Sequence, residues 1–137
     1  MLFTRECDYA VRILRVLSRG DTSSVQEICE KEKITVSIAY KLARKLEKAG
    51  ILQSFRGMNG GYALAKPLEE LTLYDVFLAV NQNLLLTECM EPGYHCSRNS
   101  KEHPCQVHRE FARLQQVVNR ELKDRTMAEV FEGTTSR

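Results

Sequence analysis

The 137-residue sequence predicts a mainly α fold with a small β-hairpin wing: a winged helix-turn-helix followed by a long C-terminal helix. Three observations carry this. Three consecutive segments within residues 6–49 repeat apolar residues at helical spacing, and the last has a basic outer face. The glycine-rich run Arg56-Gly57-Met58-Asn59-Gly60-Gly61 then separates two short strand-like segments. Finally, a narrow apolar stripe runs along residues 106–123.

The first helix reads from about Glu6 to Ser18, because Ala10, Ile13, Leu14 and Leu17 fall at i, i+3, i+4 and i+7. Gly20-Asp21 ends it. The second starts near Ser23 or Ser24. Either hydroxyl can cap it, and Glu27 stands three residues after Ser24, as in a capping box. Its apolar positions are Val25, Ile28 and Cys29. For the third helix Thr35 is the N-cap and Gly50 the C-cap. Ala39, Leu42, Ala43, Leu46 and Ala49 lie on one side; Ser37, Lys41, Arg44 and Lys48 form a stripe on the other. The strands are residues 51–55 and 62–64, and the glycines between them permit a tight hairpin tip. Thr72 caps a fourth helix with Leu73, Val76, Phe77 and Val80 on its apolar face. Residues 87–105 show no period and hold three cysteines, two histidines and two prolines. A long helix from Gln106 to about Lys123 carries Val107, Phe111, Leu114, Val118 and Leu122, a stripe suited to a helix–helix seam. Thr126 caps a last short helix, Met127–Phe131.

This length allows one compact domain plus a peripheral element, and an apolar content of 43% is sufficient for a folded core. The formal net charge of +2 says little, but its distribution says more. Between Lys31 and Lys66 stand eight basic residues and only two acidic ones, Glu32 and Glu47. Residues 1–20 are broken by Arg5, Glu6, Asp8, Arg12 and Arg15, so they contain no apolar signal-peptide core. The expectation is a cytoplasmic protein with no membrane partner. Five cysteines in a reducing compartment then read as buried, metal-binding or redox-active groups. Cys7 and Cys29 are expected to pack as small apolar residues.

A helix with an apolar back and a polar front fits the major groove of DNA. Lys41, Arg44, Lys45 and Lys48 can neutralise phosphates, and Ser37, Tyr40 and Lys41 lie near the helix N-terminus, where bases are read. Arg56 can enter the minor groove or hold a phosphate, while Gly57, Gly60 and Gly61 let backbone approach the duplex. Any one of these features alone is compatible with an ordinary solvated helix and hairpin. Their order is what points to a double-stranded DNA partner.

Several motifs are recognisable: Asp8-Tyr9-Ala10-Val11-Arg12, Ile34-Thr35-Val36-Ser37, Leu46-Glu47-Lys48-Ala49-Gly50-Ile51 and the wing Arg56-Gly57-Met58-Asn59-Gly60-Gly61-Tyr62. With the cysteine cluster before the long helix, they make the chain resemble the Rrf-two family of bacterial winged-helix transcription regulators over nearly its whole length. The resemblance implies that the long helix packs against its twin in a homodimer. It also implies that Thr35, Ser37, Tyr40, Lys41, Arg56 and the wing glycines, Gly60 and Gly61 among them, contact DNA.

Cys89, Cys96 and Cys105 are separated by six and eight residues, and His108 follows Cys105 after two. Three thiolates and an imidazole make a complete four-ligand set for an iron–sulfur cluster. Members of the resembled family that hold a cluster carry three cysteines in this place, often with about five residues between neighbours. The wider spacing here leaves a two-iron or a four-iron cluster open. By the same resemblance, the fourth ligand is His108, as in IscR-like members, or Asp8, as in NsrR-like members. His95 and His103 are solvated loop residues or substitute ligands.

The expected division is a winged-helix DNA-binding domain at 1–82, a cysteine-bearing sensor loop at 83–105, and a dimerisation helix with its tail at 106–137. The expected function is a DNA-binding transcription regulator whose operator affinity an iron–sulfur cluster controls. Alternatives keep the regulator but switch it by thiol–disulfide chemistry or by zinc. More remote are an interaction module that does not bind DNA and an enzyme using Cys105 and His108. Against the enzyme stand the absence of an oxyanion-hole motif and the little protein left for a cleft.

Overall fold

A computed structural model describes residues 3–133; residues 1, 2 and 134–137, parts of the expected first and last regions, lie outside it. The helices are α1 (Arg5–Leu17), α2 (Val25–Glu32), α3 (Val36–Lys48), α4 (Leu73–Val80), α5 (Gln106–Asp124) and α6 (Met127–Glu132). Strands β1 (Leu52–Phe55) and β2 (Gly61–Leu64) form the hairpin, and short 3₁₀ turns occupy Leu68–Glu70 and Glu88–Met90. The architecture is the mainly α winged helix-turn-helix with a long C-terminal helix that the periodicity predicts.

α1 is the central post. Its stripe of Ala10, Ile13, Leu14 and Leu17 is at most 1% exposed and packs against α2, α3 and α4. Burying each of the larger aliphatic side chains contributes about 1.5–3 kcal/mol. Cys7 is also buried in this core, as expected of a small apolar residue. Cys29 is half-buried, and desolvation, reinforced by the Glu30 charge, pushes its thiol up, so it is a poor nucleophile.

The caps follow the sequence closely. Ser24 Oγ accepts from the Glu27 N–H at 3.2 Å. Thr72 and Asp75 form a reciprocal capping box, as do Thr126 and Glu129. Two details differ from expectation. Thr35 begins α3 without a side-chain cap bond, and the C-cap is Ala49, with Gly50 one residue beyond at φ +78°. Ala49 itself is exposed, because the helix has already turned out of the core.

β1 and β2 pair antiparallel, from Leu52 opposite Leu64 to Phe55 opposite Gly61. The hairpin is not free-standing. Ser23 N–H donates to Tyr62 O at 3.0 Å and Tyr62 N–H to Ser23 O at 2.9 Å. The linker between α1 and α2 thus adds a one-residue third strand. Ser54 Oγ donates to Glu47 Oε1 at 2.6 Å, tying β1 to the end of α3. The wing and α3 are therefore held in one frame.

Along α5 the stripe from Val107 to Leu122 is only partly covered. Leu122 is buried and Val118 packs on the core, Phe111 and Leu114 are half-buried, and Val107 is 60% exposed. The fully covered face is rotated toward Gln115 and Leu122, where α5 lies against α4 and the 3₁₀ turn at 88–90. Among the described residues, no helix is long and apolar enough to cross a membrane.

Candidate nucleic-acid interface and cysteine site

α3 presents the face that its sequence requires. Ala39, Leu42, Ala43 and Leu46 are sealed against the core. Thr35, Ser37, Tyr40, Lys41, Arg44 and Lys48 are all exposed. Arg44 and Lys48 form no ion pair among the described residues, so both charges are available to an anionic partner. Val36 and Tyr40 add apolar surface, each nearly half exposed.

Lys45 is a correction. The sequence pattern groups it with the phosphate-holding residues, but the structure turns it inward. Its Nζ donates to Glu6 Oε2 at 2.8 Å and to the Val80 carbonyl at 2.9 Å. At 80° around the helix from Ser37, it sits on the flank that meets α1 and α4 rather than on the open face. Lys41 Nζ donates to the other Glu6 oxygen at 2.5 Å, while remaining exposed. Glu6 thus grips one edge of α3, and the hydrogen bonds from Lys41 and then Lys45 hold its carboxyl below the usual range. No sequence pattern marks this pairing across some forty residues; only the fold brings it together.

Removing this carboxylate has two expected consequences. A group whose folded pKa is lowered stabilises the fold above its unfolded pKa, and this contribution disappears as pH falls through the folded value. The stability difference between wild type and Glu6→Gln should be present at pH 7 and vanish in acid, as read by urea denaturation across pH. Lys41 is also released from its partner. The variant should bind mixed-sequence duplex more tightly, and its log affinity against log salt should steepen by about 0.9 if one further phosphate is engaged.

On the wing, Gly57 adopts φ +103° and Gly60 N–H donates to Gly57 O at 3.0 Å, closing the tip. Arg56 and Met58 project into solvent. The last two glycines have an internal reason to be glycine. A Cβ on Gly60 would stand 2.5 Å from Phe55 O, and one on Gly61 2.2 Å from Ser23 O. Tyr62 is buried beneath, and desolvation, followed by the Glu47 charge, raises its phenol pKa. A cleft of about 300 Å³ lies between the wing and the helices, lined by Ser24, Tyr40, Phe55 and the wing glycines.

The cysteine segment is assembled around the N-terminus of α5. Cys105 is the N-cap, its Sγ accepting the His108 N–H at 3.4 Å. His108 Nδ1 lies 3.4 Å from Cys89 Sγ, which also contacts Thr87 Oγ1 at 3.0 Å. Asn99 Oδ1 accepts from Cys105 N–H at 2.9 Å and Asn99 N–H donates to Cys96 O at 3.0 Å, folding the loop back on itself. Cys89, Cys96, Cys105 and His108 are each half-buried. Cys89 and His108 meet directly and Cys105 joins them through the helix end. No contact brings the Cys96 side chain to them, and among the described residues no three His, Cys, Asp or Glu side chains converge as a metal site. His95 and His103 are exposed. Asp8 is exposed on α1 and pairs with Arg12 at 3.0 Å.

A helix-turn-helix with an exposed basic second helix, braced by a hairpin wing, defines a winged-helix DNA-binding regulator. The family model described as "Rrf2: Iron-dependent Transcriptional regulator" matches residues 3–133, and the chain belongs to the Rrf2 family. These are DNA-binding transcription regulators, not enzymes. NsrR of Shouchella clausii, an HTH-type transcriptional regulator, is 33% identical over 65% of this chain and 62% of its own length. Protein aau3 of Rhizobium meliloti is likewise covered over 62% of its length, so the chain spans about three fifths of these two curated relatives. Two solved structures share the fold. CymR of B. subtilis, the global cysteine regulator, superposes with a TM-score of 0.76 at 18% identity, over 97% of this chain and 98% of that one. IscR of T. potens does so with 0.71 at 18% identity, over 98% and 91%.

Proposed function

We propose that this Rrf2 regulator is a cytoplasmic homodimer that binds a double-stranded DNA operator, with an affinity set by an iron–sulfur cluster. Thr35, Ser37, Tyr40 and Lys41 read the operator, Arg44 and Lys48 hold its phosphates, and the wing engages it through Arg56, Gly60 and Gly61. Residues 1–82 bind DNA, 83–105 sense, and 106–137 dimerise. The uncovered part of the α5 stripe, Val107 with Phe111 and Leu114, supports a second copy as the partner of that helix.

The observation that carries the cluster is the meeting of Cys89 Sγ and His108 Nδ1 at the helix end capped by Cys105. Thiolate and imidazole are the donors that iron–sulfur centres take, so the residues fit the group chemically. Cys89, Cys96, Cys105 and His108 would hold it, and it would supply a redox- and ligand-sensitive iron centre. His108 is favoured over Asp8 because it already faces Cys89, whereas Asp8 is paired with Arg12. The family description names iron, and IscR and NsrR stand among the similar proteins.

Isolation without oxygen tests this. The expected product is coloured, contains iron and acid-labile sulfide, and loses both in Cys89→Ala. A colourless, iron-free protein that binds DNA normally sinks the cluster reading. A thiol switch is the second reading, favoured by five free cysteines and by the fold shared with CymR, solved from Staphylococcus aureus in an oxidised form. There, two thiols would pass two electrons and two protons to an oxidant such as a peroxide and join as a disulfide. Zinc without iron or sulfide in the isolated protein marks the third reading.

A further inference from the structure

We propose that Gln115 of α5 is the positioning residue that sets Cys89 opposite His108, by clamping the backbone of residues 84–86 to the helix. Its consequence for a cluster rests on the function proposed above; the clamp itself does not. Gln115 is only 6% exposed, and with Ser23 it is one of two buried polar residues among those described. A buried amide is tolerable only when hydrogen-bonded, and this one is. Its Nε2 donates to Leu84 O at 2.9 Å and to Asn119 Oδ1 at 2.9 Å. Its Oε1 accepts from Leu86 N–H at 2.8 Å. A backbone carbonyl can only accept and a backbone N–H only donate, so the pair fixes which way the amide points. The side chain takes the place of a neighbouring strand for residues 84–86.

The clamp bears on Cys89 through length. His108 and Gln115 are seven residues apart on one face of α5, two turns or about 10.5 Å along its axis. From Leu86 to Cys89 the chain advances only three residues, at most about 10 Å if extended, and the 3₁₀ turn at Glu88–Met90 shortens it further. The Gln115 and His108 side chains bridge what remains of the distance, and so short a tether leaves Cys89 little freedom to move away from the His108 end of α5. Holding Leu86 at Gln115 leaves the Cys89 thiol at the His108 imidazole, where Sγ and Nδ1 are 3.4 Å apart. Cys96 is farther along the chain, beyond Pro92 and Gly93, and is not restrained by this clamp.

The test uses Gln115→Met, which keeps the length but removes all three bonds, and Gln115→Asn, which keeps an amide too short to reach. Both are first checked for helix content and melting; if the Met variant does not fold, the Asn variant carries the test. In reduced, metal-free protein, modification of each cysteine by N-ethylmaleimide is timed by peptide mass spectrometry. The expected result is at least a fivefold faster reaction at Cys89, an unchanged rate at Cys96, and faster hydrogen exchange at the Leu86 amide. After anaerobic loading with ferrous iron and sulfide, the visible absorption of the variants should bleach at least fivefold faster on addition of a chelator. An unchanged Cys89 rate in every folded variant overturns the proposal, as does an equal rise at Cys89 and Cys96. If wild type takes up no iron while Cys89 still responds selectively, the clamp stands and the cluster reading fails.

Discussion

Gly61→Ala is expected to detach the wing and destabilise the protein by about 3 kcal/mol, one of the larger effects a single methyl group can have. The new Cβ would fall 2.2 Å from the Ser23 carbonyl oxygen and 2.9 Å from Ser24 Cα, both backbone atoms that no rotamer change can move. Gly61 also sits at φ +150°, where an L-residue is strained by about 1–3 kcal/mol. Relief requires separating β2 from the α1–α2 linker. That breaks the two Ser23–Tyr62 hydrogen bonds, each contributing about 1 kcal/mol, and exposes Tyr62. Urea denaturation reads the loss directly. Gly57→Ala is the control: no atom lies within 4 Å of its Cβ, so only the strain of φ +103° remains, about 1 kcal/mol. Equal stability of Gly61→Ala and wild type would mean that the wing is not braced as described.

Arg44→Ala combined with Lys48→Ala should weaken binding to any duplex and flatten its dependence on salt. Both side chains are exposed on α3 and form no ion pair among the described residues, so their removal leaves the apolar core in place. Two lost phosphate contacts reduce the slope of log affinity against log salt by about 1.8, which is on the order of fiftyfold in affinity at 0.1 M salt. The loss should be nearly the same for a selected operator and for mixed sequence, because phosphates carry no sequence information. Tyr40→Ala should behave in the opposite way, weakening the selected operator more than mixed sequence. Filter-binding titrations over a salt series separate the two.

The fold is legible in the sequence where local pattern and packing agree. Ala10, Ile13, Leu14 and Leu17 announce a buried helix face, and Thr72 and Thr126 announce helix starts, because those signals lie within one or two turns of chain. The wing glycines are legible as a hairpin, yet their strongest constraint comes from Ser23, thirty-eight residues before Gly61 and readable only as a helix cap. Long-range pairing of this kind leaves no period. Glu6 looks like a solvated charge until α1 and α3 cross beside Lys41 and Lys45. Gln115 looks like a surface residue on a polar helix because two of its three partners are backbone groups, which sequence does not distinguish. The candidate cysteine ligands are conspicuous by type, and the structure joins Cys89, Cys105 and His108 at one helix end. Cys96 is the member that spacing alone did not place, since its loop follows no regular period.

Under the proposed function, the exposed face of α3 and the wing engage DNA conditionally, under control of the cysteine segment. The most direct measurement is the affinity of one anaerobic preparation for one duplex, selected by the protein from a random pool, before and after loading with iron and sulfide. The predicted result is a change of at least tenfold, a coupling of about 1.4 kcal/mol, that is absent when Cys89, Cys96 and Cys105 are all replaced by alanine. Equal affinity of the loaded and unloaded wild-type protein would contradict the claim.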